Sequence, residues 1–143
     1  MQKLEIPVDA PDFTLKDLRG ERVSLRELRG KIVILSFFTA WCPICSKEFF
    51  SFDKLREETK DKNTAFLKVA IKAIEEDLKK YEKFSPILMD DSGSVAKAYG
   101  VKGHHETFFI NREGKILGRT FSEKDWTSMS IRNLIEHLLV GEK

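Results

Sequence analysis

The amino-acid sequence predicts an α/β protein with a mixed central sheet and helices on both faces. Three observations carry this expectation. Strand-like and helix-like segments alternate through the middle of the chain, the pattern of helices layered on a sheet. The strongest strand signal, Lys31-Ile32-Val33-Ile34-Leu35-Ser36-Phe37-Phe38, is continuously apolar instead of alternating, as expected of a parallel strand covered on both sides. A turn-separated pair of strands and an amphipathic helix then close the chain. Its 143 residues suit one domain spanning 1–143 and are too few for two ordinary ones, and 41% hydrophobic residues suffice for a core, which excludes a disordered chain.

The elements follow in order. Pro7 and Pro11 bar a helix near the N-terminus. Phe13-Thr14-Leu15 and Val23-Ser24-Leu25 form an N-terminal β-hairpin around Asp17 to Glu21, with Gly20 at the permissive turn position. Gly30 precedes the apolar strand. A helix opens after Cys42 and runs to about Lys60, with Pro43 in the first turn, where proline is tolerated. Phe66 to Ile71 is a second buried strand. Ile74, Leu78 and Tyr81 recur at helical spacing, with Glu75–Lys79 and Glu76–Lys80 placed for pairing along the helix, and Pro86 stops it. Ile87-Leu88-Met89 is strand-sized, and Ser92 is a candidate cap for a short helix ending at Gly100. Thr107 to Ile110 and Lys115 to Arg119 flank the turn Asn111-Arg112-Glu113-Gly114. Ile131, Leu134, Ile135, Leu138 and Leu139 mark one face of a final helix ended by Gly141.

Composition excludes several functions. With 25 Lys and Arg against 23 Asp and Glu the net charge is +2, and no basic block stands out, so nucleic acid is not an expected partner. No apolar run reaches the length of about eighteen residues that a membrane helix requires. The N-terminal MQKLEIPVDAPDF has no apolar signal core. The protein is therefore expected either in the cytoplasm or, with an export signal or anchor outside this chain, on the extracytoplasmic (periplasmic) side. A monomer needing no cofactor is the expectation.

The chemistry concentrates at the two cysteines, Cys42 and Cys45, in Trp41-Cys42-Pro43-Ile44-Cys45. Two cysteines cannot build a disulfide scaffold. They follow a buried strand and open a helix, at the end of a parallel sheet where reactive groups collect. Free N–H groups and the positive end of the helix stabilise a thiolate there. Cys42, before the first turn, is the exposed attacking thiol. Cys45, a turn further in, can release a mixed disulfide formed on Cys42. Packing alone, or a zinc site, are the competing readings. Zinc takes about four ligands, and only His104 and His105 stand out as completions.

The segment Phe37-Phe38-Thr39-Ala40-Trp41-Cys42-Pro43-Ile44-Cys45-Ser46-Lys47-Glu48 resembles the active-site strand and helix of the TlpA/ResA-like thiol–disulfide oxidoreductases, thioredoxin-fold proteins in the wider group that includes peroxiredoxins. Ala10-Pro11-Asp12-Phe13-Thr14-Leu15 with Val23-Ser24-Leu25 is similar to that family's N-terminal hairpin. Tyr99-Gly100-Val101-Lys102-Gly103 before Thr107-Phe108-Phe109-Ile110 is similar to the segment facing its cysteines, and Asn111 to Ile116 to its closing hairpin. The resemblance covers nearly the whole chain. It implies a thioredoxin-like fold, Cys42 as nucleophile, Cys45 as resolving thiol, and a protein disulfide or dithiol as substrate.

Glu48 is reached independently. With Cys45 at zero on a wheel of about 100° per residue, Glu48 falls near −60°, between Phe52 near −20° and Leu55 near −80°. A carboxylate on that buried face is costly to ionise and opposes ionisation of a nearby thiol, so it can give or take the Cys45 proton. The resemblance assigns a buried Glu to this position. The alternative is a surface Glu paired with a Lys.

Two departures stand out. The family pattern reads Gly-x-Pro-x-Thr-Phe with a cis-proline, whereas Gly103-His104-His105-Glu106-Thr107-Phe108 places His105 at the proline. A cis bond before a non-proline residue costs about 2.5–4 kcal/mol, so a trans His104–His105 bond is expected. The His105 imidazole then has three possible roles: pairing with the Cys42 thiolate, binding a soft metal with Cys42 and Cys45, or filling the loop. His104 and His137 are expected at the surface. Phe50 stands where the family often has a helix-kinking proline, and the segment between Ile71 and Pro86 is short. Three rival functions follow: a soft-metal (copper-type) binding protein using Cys42, Cys45 and His105; a peroxidase, for which Leu35 replaces the motif proline upstream of Thr39-Ala40-Trp41-Cys42; and a domain kept only for protein contacts.

Overall fold

A computed structural model describes residues 2–39, 45–81, 86–102, 105–120 and 126–141. Among them are strands β1 (Gln2–Asp9), β2 (Thr14–Asp17), β3 (Arg22–Ser24), β4 (Ile32–Phe38), β5 (Thr64–Ile71), β6 (Ile87–Asp90), β7 (His105–Ile110) and β8 (Lys115–Thr120). The helices are α1 (Cys45–Glu58), α2 (Glu75–Leu78), α3 (Ser94–Ala98) and α4 (Met129–Gly141). The strands form one sheet in the order β1-β8-β7-β4-β5-β6-β2-β3. β4, β5 and β6 run parallel, and β7 returns antiparallel beside β4.

All seven residues of β4 are buried, as a strand with layers on both faces must be. Its odd residues Val33, Leu35 and Phe37 join Leu25, Ala96, Tyr99 and Phe108 in one core. Its even residues Ile32 and Ile34 join Phe52 and Leu55 of α1, Phe66, Phe109, Trp126, and Ile131, Ile135 and Leu138 of α4 in a second. Phe38 packs with Phe49, Ala70, Leu78 and Tyr81 in a third. α1 and α4 therefore cover one face and α3 the other, the expected mixed sheet between helical layers.

The N-terminal hairpin pairs Thr14 with Ser24 and Leu15 with Val23, and Asp17 Oδ1 accepts the N–H groups of Arg19 and Glu21 across the turn at 2.8 and 2.9 Å. Three local expectations change. β1 is an additional strand at the sheet edge, where Pro7 is tolerated because a missing N–H there need not break a ladder. Its register against β8 shifts between Lys3 and Val8. The helix expected from Ile74 is one α turn followed by a 3-10 turn, Lys79–Tyr81, and Ile74 is extended and 59% exposed at its N-terminal cap. α3 is capped chiefly by Asp90, whose Oδ1 and Oδ2 accept the Val95 and Ala96 N–H groups at 3.3 and 2.9 Å, whereas Ser92 reaches only the Ser94 N–H.

Candidate active site

β4 and β5 run parallel, β4 ends at Phe38, and α1 begins at Cys45. Cys42, with Ala40, Trp41, Pro43 and Ile44, lies outside the described residues, as do His104 and hence the His104–His105 peptide bond. The pairing of His105 with the Cys42 thiolate accordingly lies outside them too. Glu48 and His105 are described, and the structure brings them together.

Glu48 sits one turn after Cys45 on α1 and is 2% exposed, with Phe52 and Leu55 each at 1%. The helical wheel required this burial, and the surface-residue alternative is excluded. The Trp126 indole Nε1–H donates to Glu48 Oε1 at 2.6 Å. The Trp126 backbone N–H donates to Ser51 Oγ at 3.0 Å, and that hydroxyl donates to the Glu48 carbonyl, so Trp126 is held to α1 at two points. The second carboxylate oxygen, Oε2, lies 2.9 Å from His105 Nδ1. That contact is at ion-pair distance but lacks hydrogen-bond alignment, and Oε2 has no aligned donor among the described residues.

His105 opens β7 opposite Phe38 of β4. Its other nitrogen, Nε2, lies 2.9 Å from Ser36 Oγ, which in turn accepts the Thr107 hydroxyl proton at 3.0 Å. With Thr107 donating to Ser36, the Ser36 hydroxyl is free to donate to Nε2, which leaves the imidazole proton on Nδ1 beside Glu48. Nε2 is thus hydrogen-bonded, and Nδ1 lies at ion-pair distance from Glu48. The alternative metal set of Cys42, Cys45 and His105 includes Cys42 and so lies outside the described residues.

Ser36 belongs to a wider polar row. Thr107, Ser36 and Lys68 are register neighbours across β7, β4 and β5, all facing α1. Lys68 is fully buried, and its ammonium contacts Asp53 Oδ1 of α1 at 3.0 Å and lies 5.0 and 5.3 Å from the Phe49 and Phe52 ring centres. Burial drives the Lys68 ammonium down to about 8, against the pull of Asp53 in the opposite direction. A belt of Thr107, Ser36, Lys68, His105, Glu48 and Asp53 therefore separates the second core from the third. On the opposite face of β7, Glu106 pairs with Arg119, which lies over the Phe108 ring.

Sequence reasoning missed Trp126, Ser36, Thr107, Lys68 and Asp53. Ser36 and Lys68 did carry a signal, since each is the single polar residue inside an otherwise apolar buried run. Trp126 carried none, because its role depends on contacts with Glu48 and Ser51 of α1, 78 and 75 positions away. His137 is exposed on α4, as expected.

Residues 6–119 match the AhpC/TSA family. A thiol-disulfide oxidoreductase ResA from Bacillus thuringiensis subsp. konkukian is 33% identical over 122 residues, covering 81% of this chain and 69% of that protein. Among solved structures, the thioredoxin domain of a thiol-disulfide oxidoreductase from Bacteroides vulgatus superposes with a TM-score of 0.79 at 28% identity, covering 95% of this chain and 99% of that one. The exposed lipoprotein thioredoxin of Streptococcus pneumoniae superposes with a TM-score of 0.74 at 30% identity, covering 90% of this chain and all of that one.

Proposed function

The chain belongs to the AhpC/TSA family and is a thiol–disulfide oxidoreductase of thioredoxin-like fold, and from that premise we propose that it works as one domain that exchanges a Cys42–Cys45 dithiol/disulfide with protein partners. The observation that supports this reading best is Glu48, a carboxylate buried one turn after Cys45 with one oxygen held by Trp126 and the other without an aligned donor. A buried polar atom without a donor is costly, and a carboxylate one helical turn from a redox cysteine has a use: it can take the thiol proton.

In the reducing direction, Cys42 attacks as thiolate. Its sulfur bonds to one sulfur of the partner disulfide, and the other partner sulfur leaves and takes a proton. Cys45 then gives its proton to Glu48 and attacks the Cys42 sulfur of the mixed disulfide. The second partner sulfur leaves as thiolate, and the Cys42–Cys45 disulfide remains. Two electrons pass from the protein dithiol to the partner disulfide. The reverse sequence oxidises a partner dithiol, and the partner's potential sets the direction. The kinship with an exposed lipoprotein thioredoxin favours an extracytoplasmic site of action. No described helix is long and apolar enough to cross a membrane.

The test is covalent trapping. Replacing Cys45 by Ser leaves Cys42 to attack and removes the resolving step, so a reducible mixed disulfide to a partner protein accumulates. Cys42→Ser abolishes that adduct, and the protein retaining only Cys42 is alkylated faster at neutral pH than the one retaining only Cys45. No adduct with Cys45→Ser, or peroxide consumption in place of exchange, overturns the reading.

A further inference from the structure

The proline position of the family pattern holds a histidine whose two nitrogens are both placed inside the protein, Nδ1 at 2.9 Å from Glu48 Oε2 and Nε2 at 2.9 Å from Ser36 Oγ. Its side chain is 9% exposed, so water does not compete for either contact. We propose that His105 is a positioning residue that acts on the Cys45 proton through Glu48: Thr107 and Ser36 hold the ring so that its Nδ1–H faces the open carboxylate oxygen. This rests on the exchange reading above and deepens it.

The direction of the donors makes the argument. Thr107 donates to Ser36, Ser36 to His105 Nε2, and His105 presents its remaining proton toward Glu48. Trp126 donates to the other oxygen. The indole N–H is aligned with one carboxylate oxygen at 2.6 Å and the imidazole Nδ1 lies beside the other at 2.9 Å. Because the Nδ1 contact is not in line with Oε2, the ring supports the charge without occupying the oxygen's in-line position, and a thiol proton can still be accepted there. When Cys45 yields its proton, Glu48 becomes the neutral acid and Nδ1 keeps its own proton, so the ring neither donates nor gains one. Among the described residues, the other charges near this face are Lys68 of β5, with Asp53 and Arg56 of α1, while Glu106 and Arg119 lie across β7, and none of these is paired with Oε2.

The experiment measures alkylation rate against pH on the reduced chain, in four forms: unchanged, His105→Phe, Glu48→Gln, and the double variant. Phe keeps the ring and removes both nitrogens. Without the imidazole, the negative charge on Glu48 is less well supported and opposes the Cys45 thiolate less, so the profile moves to lower pH by about one unit. In the Glu48→Gln protein, where no carboxylate is left to support, His105→Phe produces no further shift. An equal shift in both backgrounds means that His105 acts on the thiols directly and overturns the proposal, as does no shift at all. Ser36→Ala serves as the second variant if His105→Phe does not fold. It frees the ring's orienting partner and moves the profile in the same direction by a smaller amount, and an unmoved profile there also overturns the proposal. Trapping on Cys42 is scored in parallel with Cys45→Ser. Trapping that succeeds while the profiles coincide refutes only the role of His105, whereas failure to trap refutes the exchange reading itself.

Discussion

At the scale of single residues, the site is a carboxylate that a folded protein would normally avoid burying. Ionised groups are costly away from water unless donors surround them. Glu48 has the indole N–H of Trp126 at 2.6 Å and an imidazole at 2.9 Å. The indole also fills the second core, edge-on to Phe52 with ring centres 5.2 Å apart. Trp126→Phe therefore removes a donor to the carboxylate and leaves part of the indole volume empty. The expected cost is about 2–4 kcal/mol in urea unfolding, combining a lost hydrogen bond to a charged group with a cavity. In the Glu48→Gln protein the same substitution costs less, because the lost hydrogen bond no longer serves a charge. Equal costs in both backgrounds would reduce Trp126 to a packing residue.

At the scale of elements, what could be read in advance depended on whether the governing interactions were local. The apolar run of β4, the five-residue stripe of α4 and the turn at Asn111 are local patterns, and each is found where expected. Glu48 was legible for the same reason, since a helical wheel needs only α1. β1 was not legible: its pairing with β8 joins residues more than a hundred positions apart, and Pro7 argued against regular structure. α2 was overread because Ile74, Leu78 and Tyr81 fit a helical period, while only Leu78 and Tyr81 are buried. The three-residue step between those two is the 3-10 repeat. The cap of α3 was assigned to Ser92 from proximity, yet Asp90, 1% exposed at the end of β6, supplies both acceptors. Asp90→Ala should cost about 2 kcal/mol, since two N–H groups of the first turn lose their acceptors. Ser92→Ala should cost no more than about 0.5 kcal/mol, as for an ordinary surface change. Thermal or urea unfolding of the two variants checks the ranking.

At the scale of the whole molecule, the polar belt under α1 couples the site to stability. A hydrophobic residue at position 68 would have joined the second and third cores into one. The chain instead carries a lysine there, fully buried, whose ammonium is depressed to about 8 by burial. The unfolded chain holds that proton up to the ordinary lysine value, 10.5. Between these values the unfolded state binds more protons than the folded one, so folding stability rises with pH across that window. Below it the penalty is fully present and amounts to about 3 kcal/mol. Lys68→Met removes the penalty, keeps a long flexible side chain between Phe49 and Phe52, and leaves Asp53 in contact with Arg56 at 3.7 Å. The expected result is a protein at least as stable as the natural one at pH 7, whose stability no longer climbs between pH 8 and 10.5. Urea unfolding at pH 7, 8, 9 and 10 reads both quantities. A variant several kcal/mol weaker at pH 7 would mean that the Lys68–Asp53 pair more than offsets its own desolvation. The belt would then be a structural fastening between α1 and the sheet, and not a stability cost borne beneath the active-site helix.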